Sequence, residues 1–205
     1  LGDNGSDAPL GHQHEVACAA PLRGKKGAHY EGGMRVPFIA AWAKADDSNP
    51  HQKKLPITAG AIQSQLGAVY DIAPTILNLL GLSFPKDHKV DGTSLASLFA
   101  GKPDASREQE FLMHYAHSPH RSDYFTSFRQ GDWKVIYHYH PTKVSGGSHY
   151  QLFNLKEDPF ESNDESEKLG HVRRMMNWLF TRLRENGALY PVDKDGKTPL
   201  QPKLP

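Results

Sequence analysis

The first residues of the chain bring together side chains suited to a hard metal ion. Asp3 and Asn4 stand side by side in a Gly-Asp-Asn-Gly sequence at residues 2–5, here called the Asp-Asn turn. A carboxylate next to an amide carbonyl supplies two oxygen ligands, which suits Ca²⁺ or Mg²⁺ and gives no soft ligand for zinc. The same tetrapeptide is also an ordinary turn sequence, so a turn without a metal is the alternative.

A basic, glycine-containing loop follows at residues 22–27, here called the basic loop. Lys26 precedes Gly27, and glycine neighbours let the backbone and an ammonium group approach a small anion closely. Lys25 competes for the inward position, and Arg23 is a further cationic candidate. The alternative is a solvated basic loop without a ligand.

Histidines are the third group of candidates, and the chain contains 12 of them. Some lie in the long glycine-rich loop at 5–33, and others lie between predicted strands, where they could close over the edge of a substrate. Ordinary surface positions are the alternative for each of them. The candidate substrate-binding residues are His12, His14, His29, His117, His120 and Arg121, with His114 beside the last three.

Composition narrows the possible partners of this 205-residue chain. With 24 basic and 23 acidic residues, the net charge of +1 gives no electrostatic reason to expect a nucleic acid or an anionic membrane as partner. No run of about 18 apolar residues is present, so no membrane span is expected. The single cysteine, Cys18, excludes a disulfide within this segment and is interpreted as a small buried residue.

The first half of the chain reads as part of an α/β structure. Residues 1–2 resemble the end of a strand, and the continuous apolar run at 36–42 predicts a strand buried on both faces. Between them, the Glu-Gly-Gly at 31–33 and Arg35 are expected to brace the loop exit. Asp71 is expected to cap a helix that runs to about Leu80, with an apolar side formed by Ile72, Ile76, Leu79 and Leu80. Asp-Gly-Thr-Ser-Leu at 91–95 opens a short helix to Phe99.

The second half changes to short strands followed by one helix. Aromatic and β-branched residues predict strands at 111–115, 126–129, 133–139 and 151–155, with a hairpin turn at 130–132. The tyrosine and histidine alternation at 137–140 predicts a half-exposed strand. An amphipathic helix is expected at about 167–185, with Leu169 on its apolar side, and the tail from Pro191 is expected to be extended or disordered.

In this order, these segments resemble the sulfatase family of the alkaline phosphatase superfamily, specifically the C-terminal portion of a type I, formylglycine-dependent sulfatase. The resemblance extends to about residue 186, and the combination of motifs is specific although each motif alone is common. The motifs are Gly-Asp-Asn-Gly at 2–5, Leu-Arg-Gly-Lys-Lys-Gly at 22–27, Glu-Gly-Gly-Met-Arg-Val-Pro at 31–37, Asp-Ile-Ala-Pro-Thr-Ile at 71–76, Asp-Gly-Thr-Ser-Leu at 91–95, Gly-Asp-Trp-Lys at 131–134, and Leu-Phe-Asn-Leu at 152–155 with Asp-Pro at 158–159.

The resemblance implies roles for the polar residues. Asp3 and Asn4 would be ligands of one active-site Ca²⁺, completed by two acidic ligands from an upstream segment, and Lys26 would contact the sulfate. The family's nucleophile is a formylglycine made from a Cys/Ser-x-Pro-x-Arg motif, which this chain lacks. Cys18 has the wrong interval to Arg23 and follows the Asp-Asn turn, so we reject it as the nucleophile.

The resemblance also implies the fold and the activity. The expected fold is a partial alkaline phosphatase-like α/β domain at 1–105, a small α+β subdomain at 106–190 with an antiparallel sheet and one long helix, and a tail at 191–205. The expected activity is hydrolysis of sulfate esters of carbohydrates, in the periplasm or outside the cell. This chain alone would be inactive, with the missing N-terminal portion as its partner. The alternatives are a phosphodiester or phosphonate-ester hydrolase and a non-catalytic carbohydrate-binding fragment.

Overall fold

The computed structural model describes residues 1–6, 19–116, 123–141, 145–193 and 195–205. Contacts between residues divide the chain into two compact units. The helical unit contains Leu1 and Phe38–Gln109, and the sheet unit contains Gly2–Pro37 and Glu110–Pro205. The Asp-Asn turn and the basic loop therefore group with the C-terminal sheet, whereas the division at residues 105 and 190 implied by the family stays a prediction.

The sheet unit is built on the four strands that the sequence predicts. They are β1 (Glu110–Tyr115), β2 (Phe125–Gln130), β3 (Trp133–His138) and β4 (Tyr150–Asn154), paired in that order and all antiparallel. The predicted hairpin turn joins β2 to β3, with Gly131 at φ +57°. The antiparallel sheet of the expected α+β subdomain is thus confirmed.

The long helix α5 (Leu169–Glu185) covers one face of the sheet, as the amphipathic pattern predicts. Leu169 is an exception: it is the first residue of the helix, it lies beyond the part that packs on the sheet, and 56% of it is exposed. The helix residues that pack against Phe128, Val135 and Leu152 are Val172, Met175, Met176, Leu179 and Leu183.

The other face of the sheet is also covered. Tyr30, from the segment after the basic loop, packs with Phe125, Ile136 and Phe153. This second cover explains why the strand around Tyr137 is buried and not half-exposed as predicted: alternate side chains point to opposite faces, and both faces are covered.

Described residues of the C-terminal tail contact the sheet unit, whereas the expectation of an extended or disordered tail stays a prediction. Val192 pairs with Pro199 in an isolated antiparallel bridge. The hydroxyl of Tyr150 donates to the Lys203 carbonyl at 2.9 Å, and Leu200 packs against the α5 core.

The helical unit contains three α-helices and one short 3₁₀ helix. Helix α1 (Glu31–Met34) belongs to the sheet unit, so the helices of this unit are numbered from α2. The prediction of a helix ending at Leu80 and of a short helix ending at Phe99 is confirmed, whereas α2 was not predicted. The helices of this unit are α2 (Pro50–Lys54), the 3₁₀ helix (Val69–Asp71), α3 (Ile72–Leu80) and α4 (Ala96–Phe99).

Asp71 does not cap α3 with its side chain, contrary to the prediction. Its carboxylate accepts hydrogen bonds from the backbone N–H groups of Ala68 and Thr93, each at 2.8 Å, and it pairs with the Arg107 guanidinium. A buried carboxylate is stable only where donors surround it. The donors around Asp71 come from three separate segments, so this residue joins those segments of the helical unit.

The apolar run at 36–42 does not form the predicted buried strand. Ile39 is 85% exposed, and strand pairing among the described residues is limited to the four-stranded sheet and the Val192–Pro199 bridge. The Gly2 N–H donates to the Pro37 carbonyl at 3.1 Å, but the described residues show no ladder of such bonds along the run, and a strand requires one. Ile76 and Leu80 of α3 are likewise exposed, and Thr75 is the buried residue of that helix.

None of the helices in the described ranges combines the length and the apolar character that crossing a membrane requires.

Candidate active site

Close backbone packing joins the Asp-Asn turn to helix α1. The N–H of Gly5 donates to the Gly33 carbonyl at 3.3 Å. A Cβ atom at Gly5 would lie 2.5 Å from the Gly32 carbonyl oxygen and 2.6 Å from that of Gly33, closer than atoms can approach. Glycine is therefore required at position 5 for the turn to reach the helix.

The same helix holds the basic loop. The N–H of Gly32 donates to the Arg23 carbonyl at 2.7 Å, and a Cβ at Gly33 would lie 2.5 Å from the Lys25 carbonyl oxygen. The N–H of Lys26 in turn donates to the Ser6 carbonyl at 2.9 Å. The structure thus brings the predicted metal ligands and the predicted sulfate-binding lysine into one neighbourhood.

The donor atoms of the Asp-Asn turn fit a hard cation by type. Asp3 and Asn4 are exposed and offer only oxygen ligands, and the Asn4 side-chain amide donates to Asp3 Oδ2 at 2.8 Å. Ca²⁺ takes six to eight oxygen ligands, so these two residues can form only part of a calcium site.

The three cations of the basic loop differ in their surroundings. Lys25 and Lys26 are half-buried, and neither ammonium group forms an ion pair within the described part of the chain. The Arg23 guanidinium donates to the Glu161 carbonyl at 2.8 Å and lies 3.8 Å above the centre of the Tyr30 ring. Arg23 is thus engaged by the protein, and this argues against the direct substrate contact that we expected of it.

His29 is buried inside the sheet unit, with 1% of its surface exposed. Its ring contacts Tyr30, Phe125 and His138. Burial, together with the charge of His138, lowers the pKa of His29 from 6.5 to about 3, so the imidazole is neutral at physiological pH. Burial also argues against the substrate contact expected of His29.

Next to His29 lies a buried polar chain that the sequence does not predict. His138 Nδ1 lies 3.3 Å from Asp123 Oδ2, and Nε2 lies 3.0 Å from Gln151 Oε1, which also accepts a hydrogen bond from the Tyr30 hydroxyl. Because a carbonyl oxygen only accepts, Nε2 of His138 carries a proton. Burial alone would raise the pKa of Asp123, but the hydrogen bond and the charge of His138 outweigh it and lower that pKa.

His29, Asp123 and His138 also offer three potential ligand atoms within 4.8 Å of one another. Two nitrogens and one carboxylate are donors typical of a transition metal and not of calcium. The contacts of His138 with Asp123 and Gln151 need no metal, so the cluster is consistent with a purely structural role.

A second buried group, here called the ion network, consists of Glu31, Lys134 and Glu161. Lys134 Nζ lies 3.0 Å from Glu31 Oε1 and 2.8 Å from Glu161 Oε1. Glu161 Oε2 accepts a hydrogen bond from the Glu31 N–H at 2.6 Å. Burial raises the pKa of Glu161, and the nearby Lys134 charge offsets only part of that rise. A lysine inside an apolar strand sequence, Trp-Lys-Val-Ile-Tyr, was the available signal for this network.

One further candidate, His114, is engaged by the protein. His114 donates from Nε2 to the Leu189 carbonyl and contacts the Thr126 hydroxyl through Nδ1, each at 2.7 Å, so both ring nitrogens have protein partners. The other candidates, together with Cys18, lie outside the described residues: His12, His14, His117, His120 and Arg121.

Comparison with known proteins identifies the family. Residues 25–186, most of the chain, match the family described as N-sulphoglucosamine sulphohydrolase, C-terminal. The chain belongs to the sulfatase family, as a C-terminal portion.

Similar proteins carry the same family name. Human arylsulfatase D is 29% identical over 190 residues, covering 81% of this chain and 30% of that protein. A sulfatase of Formosa agariphila is 30% identical, covering 77% of this chain and 25% of its own length, and human N-acetylgalactosamine-6-sulfatase is 30% identical over 63% of this chain and 24% of its own length. The chain therefore spans less than a third of these relatives.

Solved structures support the fold. The crystal structure of Ps i-CgsB matches with a TM-score of 0.57 and 27% identity, covering 87% of this chain and 35% of that one. The structure of BT4656 in complex with D-glucosamine-2-N,6-O-disulfate matches with a TM-score of 0.51 and 24% identity, over 64% of this chain and 26% of that one.

The family match includes both the basic loop from Lys25 onward and the whole ion network. Asp3 and Asn4 precede the matched range, so their assignment as metal ligands rests on the motif resemblance and on their proximity to Lys26.

Proposed function

We propose that the protein containing this chain hydrolyses sulfate esters, and that Asp3, Asn4 and Lys26 form part of its active site. The observation that carries the proposal is the 2.9 Å backbone hydrogen bond between Lys26 and Ser6, which holds the Asp-Asn turn against the basic loop in a chain of the sulfatase family. A divalent cation held by oxygen ligands, with a lysine ammonium group beside it, suits a tetrahedral oxyanion such as a sulfate group.

The proposed roles follow from the chemistry of each side chain. The Asp3 carboxylate and the Asn4 carbonyl would hold Ca²⁺ together with ligands from outside this chain, and the bound ion would supply positive charge next to the sulfate oxygens. The Lys26 ammonium group would bind the sulfate and stabilise the negative charge that develops on the leaving oxygen in the transition state. The nucleophile, a formylglycine, would come from another part of the protein.

Sulfated sugars are the proposed substrate class. The description of the matched family names a hydrolase of N-sulphoglucosamine, a sulfated sugar. One relative that is 30% identical is named an N-acetylgalactosamine-6-sulfatase. An aryl sulfate is the second candidate, because one relative, matched over 190 residues, is named an arylsulfatase. For the location of the protein, we propose the periplasm or the extracellular space, from the family resemblance.

The full-length protein that contains this chain tests the function. Release of inorganic sulfate is measured from 6-O-sulfated and N-sulfated glucosamine, from 6-O-sulfated N-acetylgalactosamine and from p-nitrophenyl sulfate, beside p-nitrophenyl phosphate and a phenyl phosphonate ester. We expect the highest kcat/KM for a sulfated sugar. Faster hydrolysis of the phosphate or phosphonate ester would contradict the proposal, and sugar binding without turnover would favour a non-catalytic carbohydrate-binding protein.

A further inference from the structure

The ion network lies directly behind the proposed sulfate-binding loop. We propose that Glu161 and Lys134 are positioning residues, which fix the basic loop so that Lys26 meets the sulfate. This inference rests on the proposed function, because it concerns the loop that carries Lys26. Both side chains are buried, so they would act through the loop and not on the substrate itself.

The burial of Lys134 is the first observation in support. Its side chain is fully buried on β3, and a buried ammonium group is stable only with compensating charges. Both compensating carboxylates come from other segments, Glu31 at the start of α1 and Glu161 after β4. Lys134 therefore ties the sheet to the helix that holds the loop.

The backbone of Glu161 is the second observation. With φ at +53°, it is the single non-glycine residue with a positive φ in the described ranges. Glycine adopts this left-handed conformation more readily than any other residue, so a glutamate here indicates a need for its side chain.

The contacts of Glu161 explain why a glutamate is needed at this position. Its carboxylate accepts from the N–H of Glu31 and pairs with Lys134, while its carbonyl accepts from the Arg23 guanidinium. Arg23 and Glu31 are the two ends of the segment that contains Lys25 and Lys26. One buried residue thus holds both ends of the segment.

The connection continues from the ends of the segment to the site. Between Arg23 and Glu31, the N–H of Ala28 donates to the Lys25 carbonyl at 2.8 Å, and the N–H of Lys26 donates to Ser6 at 2.9 Å. Removing the Glu161 carboxylate leaves the Glu31 N–H with a poorer acceptor and Lys134 with one carboxylate. We expect the segment to lose its fixed position while its own internal hydrogen bonds remain.

A double-mutant cycle in the full-length protein tests the proposal. Glu161→Gln keeps the size of the side chain and removes its charge. We expect it to lower kcat on the preferred sulfate ester by at least tenfold when Lys26 is present, and by less than twofold in a Lys26→Ala background. Equal factors in the two backgrounds would overturn the proposal, because a merely structural loss acts independently of Lys26.

Two further variants keep the result interpretable. Glu110→Gln removes another partly buried carboxylate of the sheet unit, which pairs with Arg182 at 2.7 Å, and should leave kcat within twofold of the wild type. If Glu161→Gln does not fold, Arg23→Gln takes its place in the same cycle. Arg23 is only half-buried, and its replacement removes the hydrogen bond to the Glu161 carbonyl without changing a fully buried residue. The same coupling to Lys26 is expected for it, and independence would again overturn the proposal.

Hydrogen–deuterium exchange separates this proposal from the proposed function. Glu161→Gln should speed exchange of the amides at 23–33 at least tenfold and leave the amides of α5 unchanged, with or without enzymatic activity. Unchanged exchange at 23–33 would overturn the positioning role. Absence of sulfatase activity in the wild type would count against the function alone.

Discussion

At the scale of single residues, the structure distinguishes side chains with protein partners from side chains open to a ligand. Arg23, His29 and His114 were candidates for substrate contact, and all three are engaged inside the sheet unit. By contrast, the ammonium groups of Lys25 and Lys26 form no ion pair with the described residues. The site prediction therefore concentrates on the basic loop and the Asp-Asn turn.

Replacement of Lys26 tests its role in the transition state. Lys26→Ala in the full-length protein should lower kcat by about 10² to 10³, the range found when one charge-stabilising donor is removed. Steady-state kinetics with the preferred sulfate ester provide the measurement. Lys25→Ala is the matched control and should change kcat by less than about threefold. A larger loss at Lys25 would mean that Lys25 faces the sulfate.

Gly5→Ala tests the close approach of the Asp-Asn turn to α1. The added Cβ would lie 2.5 Å from the Gly32 carbonyl oxygen, so the turn must move away and calcium affinity of the full-length protein should fall. Isothermal titration calorimetry measures the affinity. Gly170→Ala is the control: nothing lies within 4 Å of its Cβ, and alanine in helix α5 should stabilise the protein by up to about 1 kcal/mol. Unchanged calcium binding in Gly5→Ala would contradict the proposed site.

The buried imidazole of His29 predicts a loss of stability in acid. The pKa of His29 falls from 6.5 in the unfolded chain to about 3 in the folded protein, so between these values the unfolded chain binds more protons. The free energy of unfolding must therefore decrease as the pH falls from 6.5 towards 3. Thermal melting of the wild type and of His29→Gln at pH 7 and pH 4.5 measures the effect.

The control for His29 is His51, an exposed residue of α2. We expect His29→Gln to lose less melting temperature between the two pH values than the wild type, and His51→Gln to behave like the wild type. Equal losses in all three proteins would show that His29 is protonated in the folded state.

At the scale of secondary structure, local patterns predict the sheet and both longer helices well. The strands and α5 follow the predicted positions because alternation and helical periodicity are properties of neighbouring residues. The strand expected at 36–42 and the buried apolar side of α3 failed because burial depends on a partner element. No described strand pairs with residues 36–42, and Ile76 and Leu80 of α3 stay exposed.

Two leucines of α5 test the packing of this helix. Leu179→Ala should destabilise the protein by about 2–5 kcal/mol, because Leu179 is fully buried and its loss leaves a cavity. Leu169→Ala should change the stability by less than about 0.5 kcal/mol, because Leu169 is exposed at the first turn of the helix. Denaturant unfolding provides the measurement. A comparable loss of stability in Leu169→Ala would show that Leu169 does pack on the apolar side of the helix, as the sequence predicts.

At the scale of the whole molecule, the chain spans less than a third of the relatives to which it is similar. Its sequence contains the proposed oxygen ligands and the proposed sulfate-binding lysine but no Cys/Ser-x-Pro-x-Arg motif for the nucleophile. The residues described here can therefore supply only part of the proposed reaction.

Chain 1–205 expressed alone should release no sulfate from the ester that the full-length protein cleaves. The physical reason is the missing nucleophile: without the covalent step, binding groups alone give little rate enhancement. Ion chromatography of released sulfate measures the difference at equal protein concentrations. Turnover by the isolated chain would show that its own residues include a nucleophile.

The sequence by itself determined the family, the four strands of the sheet, the helices α3, α4 and α5, and the two motifs at which we propose that the chemistry occurs. These properties depend on residue types at short spacings, which a single chain displays directly. Only the tertiary structure decided which polar residues support the site. Glu161 and Lys134 lie more than 100 positions from the basic loop, and their roles depend on burial and charge pairing between distant segments. A lysine inside an apolar strand sequence indicates a buried charge, but no local pattern identifies its partners, because a buried ion pair exists only after the segments have folded together.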